Sequence, residues 1–314
     1  NGGHATVEAN MILSVDGGGT HTRFLLRSRD GSLSYRAVTG ASSFKSVGRL
    51  KAAQHLRQGL ETVLHLAGAT LGDIVYAVYG LSGLDAQADE ATYREMLLAQ
   101  GWDGERLLLV NDALLAFYAA AQPPGLALIA GTGSIVVGVD ATGKVFRIGG
   151  WGYGFSDLGS GTWLGCEALK HTLLACDGIT PFAPWMDAVQ VRLGAQDREA
   201  MPERITTLQG YDSIAAFAPV LLGAQAEPLR DRILSEGAQH LAAMVKAGCA
   251  LHWQPSPAAF TIILAGGCLQ DPTYASLVRK ALPKELRELI RATDALDAVE
   301  GGFHLAQQTI TERG

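Results

Sequence analysis

Residues 12–24, ILSVDGGGTHTRF, place a glycine-rich turn between two apolar runs. Residues 126–139, LALIAGTGSIVVGV, repeat the arrangement in the second half of the chain. Glycine in such a turn leaves backbone N–H groups open to an anion, because no Cβ stands in the way. Each turn is followed by another turn and a third strand. The duplication therefore predicts two β-meanders that together hold the phosphates of a nucleotide.

The composition is that of a globular protein with sizeable cores, since 48% of the 314 residues are hydrophobic and 18% are charged. This length predicts roughly two domains. The net charge of −6 argues against a nucleic-acid partner, which usually requires a basic face. No apolar run approaches the ~20 residues of a membrane span, so no membrane partner is expected.

The four cysteines form no C-x-x-C pair, which favours free thiols in a reducing cytoplasm over a metal site. We therefore expect a cytoplasmic protein. Residues 1–10, NGGHATVEAN, are polar and precede Met11. We interpret them as a remnant of the expression vector and exclude them from the fold.

Beyond each meander, apolar strand patterns alternate with helical patterns. The alternation predicts an α/β fold in which a largely parallel sheet is covered on both sides and carries the antiparallel meander at one edge. Ligands of such sheets bind beyond the carboxyl ends of the strands. Four candidate residues lie at or just after the ends of predicted strands and are expected to face one cleft: Asp16, Asp112, Gly131 and Gly266.

Asp16 ends the first strand and opens the first glycine turn. Its carboxylate suits Mg²⁺, held through water, because Mg²⁺ keeps much of its hydration shell. The alternative is an Asx turn that stabilises the hairpin itself. The glycines and Thr20 that follow, and the second turn at Gly131, favour the metal.

Asp112 follows the predicted strand Leu107–Val110 and precedes a predicted helix. It is either the N-cap of that helix or a general base that takes a proton from an attacking hydroxyl. The neighbouring Asn111 could fill the capping role equally well, and the sequence leaves both alternatives open.

The segment Gly149–Gly161 is rich in glycine and carries Trp151, Tyr153 and Asp157. A flexible surface loop is one interpretation. An idle loop does not usually carry two aromatic residues, and an aromatic edge with a carboxylate suits the hydroxyls of a sugar. We therefore predict that this segment binds a sugar.

Taken together, these motifs resemble those of an ATPase family that includes N-acetylglucosamine kinases and the activators of benzoyl-CoA reductase and 2-hydroxyacyl-CoA dehydratase. That family lies within the actin, hexokinase and heat-shock-chaperone superfamily. The resemblance extends from Met11 to the end of the chain. It implies two ribonuclease-H-like lobes with a cleft between them: residues 11–121 with a returning C-terminal helix at 295–310, and residues 122–294 with a helical insertion.

The resemblance also implies transfer of the ATP γ-phosphate to the 6-hydroxyl of N-acetylglucosamine, with Mg²⁺ and in a homodimer. Asp112 would be the base and Asp16 would organise Mg²⁺. The residues implied for ATP are Gly17, Gly18, Gly19, Thr20, Gly131, Thr132, Gly133, Ser134, Gly266 and Gly267. Those implied for the sugar are Ser43, Asp112, Gly150, Trp151, Gly152 and Asp157.

Three positions depart from the family pattern. Ser43 stands where relatives often carry a sugar-binding Asn, Leu158 replaces an acid, and His21 replaces a Lys. Because Ser43 and Leu158 belong to the predicted sugar segments, glucosamine stays open as the substrate. An ATPase that activates a redox enzyme and a sugar sensor without turnover are the alternatives from other functional classes.

Overall fold

The computed structural model describes residues 10–152, 155–195, 197–253, 260–291 and 297–313. The chain divides into two compact units, Asn1–Ala121 with Asp294–Gly314 and Gln122–Thr293, which are called unit 1 and unit 2. Within the described ranges, no helix is both long and apolar enough to cross a membrane.

Unit 1 is built on a mixed five-stranded sheet. Its strands are β1 (Met11–Gly17), β2 (His21–Ser28), β3 (Ser34–Gly40), β4 (Ile74–Leu81) and β5 (Leu107–Val110). The order across the sheet is β3-β2-β1-β4-β5. The meander β1-β2-β3 is antiparallel, whereas β4 runs parallel to both β1 and β5.

Helices cover both faces of this sheet. The first four helices are α1 (Phe44–Val47), α2 (Arg49–Ala67), α3 (Gln87–Leu98) and α4 (Asp112–Ala120). Leu13 and Val15 of β1 belong to one apolar cluster with Leu56 of α2 and Tyr93 of α3. Successive strand side chains point to opposite faces, and Ser14 accordingly lies against the C-terminal helix on the other face.

Unit 2 repeats the topology of unit 1. Its strands are β6 (Gly125–Ala130), β7 (Ser134–Val139), β8 (Val145–Gly149), β9 (Thr261–Ala265) and β10 (Ile290–Arg291). The order β10-β9-β6-β7-β8 matches that of unit 1 strand for strand. The meander is again antiparallel, and β6-β9-β10 is again parallel.

A helical segment separates β8 from β9 and forms the larger part of the unit 2 core. Its helices are α5 (Gly161–Cys176), α6 (Trp185–Leu193), α7 (Met201–Thr206), α8 (Gly210–Ala215), α9 (Ala218–Gly223) and α10 (Pro228–His252). The last helices are α11 (Pro272–Ala281) and α12 (Lys284–Arg287), followed in unit 1 by α13 (Ala298–Arg313).

Helix α13 is joined to the meander of unit 1 by ionic contacts. Glu300 accepts two hydrogen bonds from the Arg27 guanidinium, at 2.7 and 2.8 Å, and also pairs with Arg36. Gly302 lies so close to Ser14 that a Cβ there would overlap the serine hydroxyl. The small residue therefore lets the helix pack directly against β1.

The predicted α/β class, with two mixed sheets flanked by helices, is confirmed. The predicted lobe boundaries and the cleft between the lobes stay predictions. Residues 295 and 296 of the predicted closing helix lie outside the described residues, as do residues 1–9 of the presumed vector remnant.

Candidate active site

The first glycine turn connects β1 to β2 and is held by neighbouring backbone. Gly18 N–H donates to the His21 carbonyl at 3.0 Å, and the Gly17 carbonyl accepts from Ser82 N–H at 2.8 Å. A Cβ on Gly17 would lie 2.5 Å from Ser42 Oγ and 2.7 Å from Leu81. Glycine is therefore required here because the turn packs tightly against the ends of its neighbours.

Asp16 lies at the carboxyl end of β1 with its side chain 15% exposed. Arg23, its cross-strand partner on β2, donates Nη1–H to Oδ2 at 3.1 Å. Burial raises the pKa of the Asp16 carboxyl, and the Arg23 charge offsets only part of that effect. The carboxylate is thus a largely buried anion whose counter-ion is an exposed arginine.

This donor set fits Mg²⁺ as a single-carboxylate site. Mg²⁺ usually takes one or two protein carboxylates and completes its shell with water and substrate phosphates. Within the described ranges, no group of three or more His, Cys, Asp and Glu side chains could hold a metal ion. Asp16 would hold Mg²⁺ with water and the phosphates of the nucleotide completing its shell.

Arg23 was missed by the sequence analysis. The hairpin register could have identified it. Once the glycine turn sets that register, Arg23 of β2 lies directly opposite Asp16 of β1. A basic side chain directly across from a candidate metal carboxylate can contact the same phosphate oxygens as the metal.

Asp112 is the first residue of α4, and the N-cap of that helix is Asn111. Asn111 has extended backbone angles, and its Oδ1 accepts from Ala113 N–H at 3.0 Å. Asp112 Oδ1 also lies 2.9 Å from the same N–H. The helix end is thus capped by Asn111, and Asp112 is not needed for that role.

The environment of Asp112 changes its acidity. The side chain is half-buried. Burial raises its pKa from the ordinary 3.8 to about 7, and the negative charges of Asp16 and Asp85 add to the rise. A carboxylate with a pKa near the working pH is suited to accept a proton in the transition state.

Asp16 and Asp112 stand at the same edge of the unit 1 sheet. Asp16 is in register with Gly80 of β4, and Gly80 is in register with Val110 at the end of β5. Two strand spacings separate β1 from β5, or roughly 10 Å. Gly80 has no side chain, and a Cβ there would overlap Leu115 of α4. The bare glycine lets α4 approach the sheet and keeps Asp112 near this edge.

The loop that carries Ser43 is tied to the same edge. Tyr93 Oη lies 2.9 Å from the Ser82 carbonyl and 3.2 Å from the Ser42 carbonyl, and His55 Nδ1 lies 2.7 Å from the Ala41 carbonyl. Ser43 itself is only 3% exposed. Its predicted contact with the sugar stays a prediction.

A charged network continues from this loop to the helix of Asp112. Lys45 Nζ pairs with Asp89 at 2.8 Å and with Asp85 at 3.1 Å. Asn111 Nδ2 lies 3.4 Å from Asp85 Oδ1. The network therefore connects α1 to the N-cap of α4.

In unit 2, the second glycine turn is anchored to the start of α5. Gly131 N–H donates to the Gly133 carbonyl at 2.9 Å, while the Gly131 carbonyl accepts from Gly161 N–H at 2.7 Å. The Thr132 carbonyl accepts from Thr162 N–H at 3.0 Å. These bonds fix the turn that was predicted to hold phosphate.

Asp157 lies directly against this turn. Its Oδ1 accepts from Ser134 N–H at 3.1 Å, and its residue adopts a left-handed backbone conformation with φ 60°. A Cβ on Gly133 would be 3.2 Å from the carboxylate. Asp157, which was predicted to bind the sugar, therefore contacts the turn that was predicted to bind phosphate. The predicted contact of Asp157 with a sugar stays a prediction.

Trp151 is 75% exposed, and the Arg147 guanidinium lies over its ring at 4.5 Å from the centroid. Its backbone N–H donates to Ser156 Oγ at 3.3 Å. Gly150 and Gly152 flank it, and Tyr153 and Gly154 lie outside the described residues. The predicted contact of Trp151 with a sugar stays a prediction.

The segment Ala265–Gly267 leaves the end of β9 beside the second glycine turn. Gly266 has φ 99°, and a Cβ there would overlap the Ala130 carbonyl. Cys268 Sγ lies 3.5 Å from the Gly131 carbonyl. The candidate adenosine segment and the second candidate phosphate turn therefore lie together at one edge of the unit 2 sheet.

The chain is similar to two characterised sugar kinases. It is 30% identical over 186 residues to an N-acetyl-D-glucosamine kinase of Dictyostelium discoideum. This match covers 54% of this chain and 56% of that protein. It is also 30% identical over 181 residues to a glucosamine kinase of Vibrio cholerae. That match covers 57% of this chain and 60% of the relative. The matches thus span less than two thirds of these relatives.

A solved structure agrees over nearly the whole chain. It is that of a Chromobacterium violaceum protein assigned as an N-acetylglucosamine kinase, which is 29% identical with a TM-score of 0.75. The match covers 95% of this chain and 99% of that protein. In addition, the sequence profile of one family matches residues 13–299. The chain belongs to the BadF/BadG/BcrA/BcrD ATPase family.

Proposed function

We propose that this protein is an ATP-dependent kinase that transfers the γ-phosphate of ATP to the 6-hydroxyl of N-acetylglucosamine. The observation that carries the proposal is the position of Asp112 together with its raised pKa. It follows β5 at the carboxyl edge of the sheet, its capping role is filled by Asn111, and its pKa is raised to about 7. The similarity to amino-sugar kinases supports the substrate class.

In the proposed reaction, Asp112 accepts the proton of the sugar 6-hydroxyl. The hydroxyl oxygen forms the new bond to the γ-phosphorus, and the bond from that phosphorus to the β–γ bridging oxygen breaks, releasing ADP. Phosphoryl transfer depends mainly on positioning and charge neutralisation. The base therefore has to be fixed in place, and the capped first turn of α4 does this.

The proposed phosphate contacts come from both glycine turns. In unit 1 these are the backbone groups of Gly17, Gly18, Gly19 and Thr20, with Arg23 adjacent; in unit 2 they are those of Gly131, Thr132, Gly133 and Ser134. Gly266 and Gly267 are proposed to contact the adenosine. Mg²⁺, held at Asp16 through water, would neutralise phosphate charge.

Substrate contacts are proposed for Ser43, Gly150, Trp151, Gly152 and Asp157, besides Asp112. The Arg147 guanidinium lies over one face of the exposed Trp151 ring, and the other face is proposed to pack against the C–H face of the sugar. A cytoplasmic homodimer is part of the same proposal, and light scattering of the purified protein would test the dimer.

Glucosamine is the alternative substrate, supported by the similarity to the Vibrio cholerae enzyme. The two sugars differ only at the C2 nitrogen, which is acetylated and neutral in one and a cation in the other. A comparison of kcat/KM for the two sugars, made on one preparation, would decide between them.

Activation of a partner redox enzyme is the proposal from another class. It would need cysteines that hold a cluster between subunits. Cys249 and Cys268 are buried, and burial raises their thiol pKa values to about 12 and about 11. Such thiols resist the deprotonation that metal binding requires. A colourless protein after anaerobic purification would argue against activation, and a brown protein would support it.

The test of the kinase proposal is ADP release measured with N-acetylglucosamine, glucosamine and glucose. We expect sugar-dependent release that falls roughly 10²–10⁴-fold in Asp112→Asn, as expected for loss of a general base. Glu105→Gln, which removes an exposed carboxylate of the same unit, is the matched control and keeps full activity. Absence of release with every sugar, or near-normal release from Asp112→Asn, would contradict the proposal.

A further inference from the structure

The loop of residues 82–85 leaves the carboxyl end of β4, between the two candidate acids of unit 1. In the sheet, β4 stands between β1, which carries Asp16, and β5, which Asp112 follows. Ligands of such sheets bind beyond the carboxyl ends of the strands. A hydroxyl that reaches Asp112 and a phosphate that reaches Asp16 would therefore meet beside this loop.

Lys45 of α1 holds this loop from one side. Its Nζ lies 3.1 Å from Asp85 Oδ2 and 2.8 Å from Asp89 Oδ2. Asp89 Oδ2 also accepts from Asp85 N–H at 3.1 Å and from Ala86 N–H at 2.9 Å. Although burial raises it, the pKa of the Asp89 carboxyl lies below its ordinary value, because Lys45 and these two N–H groups stabilise the anion. The lysine therefore binds the loop by charge-assisted contacts, which are the stronger kind.

Asn111 holds the same loop from the other side. Its Nδ2 donates to the Leu84 carbonyl at 3.3 Å and lies 3.4 Å from Asp85 Oδ1. Its Oδ1 meanwhile caps α4. Asp85 is therefore shared between Lys45 and the residue that directly precedes Asp112.

The stem of Lys45 also packs against this loop. A Cβ on Gly83 would lie 3.2 Å from Lys45 Cδ and 3.3 Å from Ser43 Oγ. Gly83 has φ 82°, a conformation that favours glycine. The loop thus lies directly against the lysine stem and against Ser43, for which a sugar contact is proposed.

We propose that Lys45 is a positioning residue for the sugar acceptor, and that it acts through Asp85 to hold the loop of residues 82–85 between Ser43 and the helix of Asp112. The inference rests on the proposed kinase function and deepens it. The ammonium pairs with two carboxylates, so Lys45 itself is not assigned to a substrate. The first glycine turn is held by Ser82 N–H and the His21 carbonyl, and neither group belongs to this network.

The test is steady-state ADP release by the full chain, with ATP and the sugar that gives the fastest release each varied in turn. Lys45→Met keeps an unbranched stem and removes the charge. We expect the KM for the sugar to rise roughly threefold to tenfold, as for loss of a pair that belongs to a charged network. The KM for ATP should stay within about twofold. The value of kcat should change less than the KM for the sugar, because Asn111 still caps α4.

Further variants separate positioning from a general loss of structure. Lys45→Arg should return the KM for the sugar to within about twofold of the wild type, because a guanidinium can also pair with both carboxylates. Asp85→Asn should raise the same constant, and the double variant with Lys45→Met should be no worse than the poorer single variant, as for two residues that act through one contact. Lys51→Met, which removes an exposed lysine of α2, is the matched control and should behave as the wild type does.

The same assay distinguishes failure of this inference from failure of the kinase proposal. If the wild type releases no ADP with any sugar, the kinase proposal is lost and this inference falls with it. If the wild type is active, three results would overturn the inference alone. They are an unchanged KM for the sugar in Lys45→Met, an equal rise in the KM for ATP, and a lack of rescue by Lys45→Arg.

Discussion

Replacement of Asp112 by Asn should stabilise unit 1 while it removes activity. In the folded protein the pKa of Asp112 is about 7, against an ordinary 3.8 in the unfolded chain. The folded state therefore binds this proton more tightly, and ionisation of Asp112 opposes folding. At 1.36 kcal/mol per pKa unit the full penalty is about 4 kcal/mol. Asn keeps the Oδ1 acceptor for Ala113 N–H and carries no charge.

The free-energy penalty for ionising Asp112 in the folded protein depends on pH. Below about pH 4 the carboxyl is protonated in both states and the penalty is absent. It grows as pH rises from about 4 to about 7, and it is constant above about 7. We expect Asp112→Asn to be more stable than the wild type by about 2–4 kcal/mol near pH 8 and by at most about 2 kcal/mol near pH 5, because burial of the amide offsets part of the gain.

The assay is urea unfolding at both pH values, with hydrogen exchange of β1 and β4 peptides to report on unit 1 separately. Glu105→Gln removes the same charge from an exposed position and should change the free energy of unfolding by less than about 0.5 kcal/mol. If Asp112→Asn is no more stable than the wild type near pH 8, or if its advantage does not grow with pH, the burial argument for Asp112 is wrong.

Three further changes test the neighbouring geometry. Gly80→Ala should lower the free energy of unfolding by about 1–3 kcal/mol and lower kcat, because the new Cβ meets Leu115; thermal unfolding and steady-state kinetics measure both. Arg23→Gln should raise the KM for ATP several-fold, yet change stability by less than about 1 kcal/mol, since its pair with Asp16 is largely exposed on the arginine side. Asp157→Ala should raise the KM for ATP if the carboxylate acts through the second glycine turn, and the KM for the sugar if it contacts the substrate. An unchanged value of both constants would remove Asp157 from the site.

Local sequence patterns were sufficient to predict the two mixed sheets. Alternating apolar runs on either side of a glycine turn define a hairpin, and the turn sets its register. Strand β10 could not be found in this way, because Ile290 and Arg291 are too few to show a period. These two residues form a strand because they pair with Ile262 and Ile263 of β9. That pairing is a tertiary contact that a local pattern does not show.

The role of Asp112 shows where sequence reasoning ends. Asn and Asp are both favoured N-caps, so neighbouring Asn and Asp leave the boundary of the helix open by one residue. The backbone decides it, since Asn111 has φ −65° and ψ 140°, outside the helical region. The bond from Asp157 to Ser134 was equally hidden, because 23 residues separate the two groups along the chain.

The position of the candidate base depends on residues outside every recognised motif. Gly80 lets Leu115 of α4 lie against β4, and Gly302 lets α13 lie against Ser14 of β1. A larger residue at Gly80 would push α4 outward and move Asp112 with it, although Asp16 and the glycine turn would be unchanged. The motif residues therefore supply the reactive groups. The close packing at Gly80 and Gly302 determines whether Asp112 remains at the same sheet edge as Asp16.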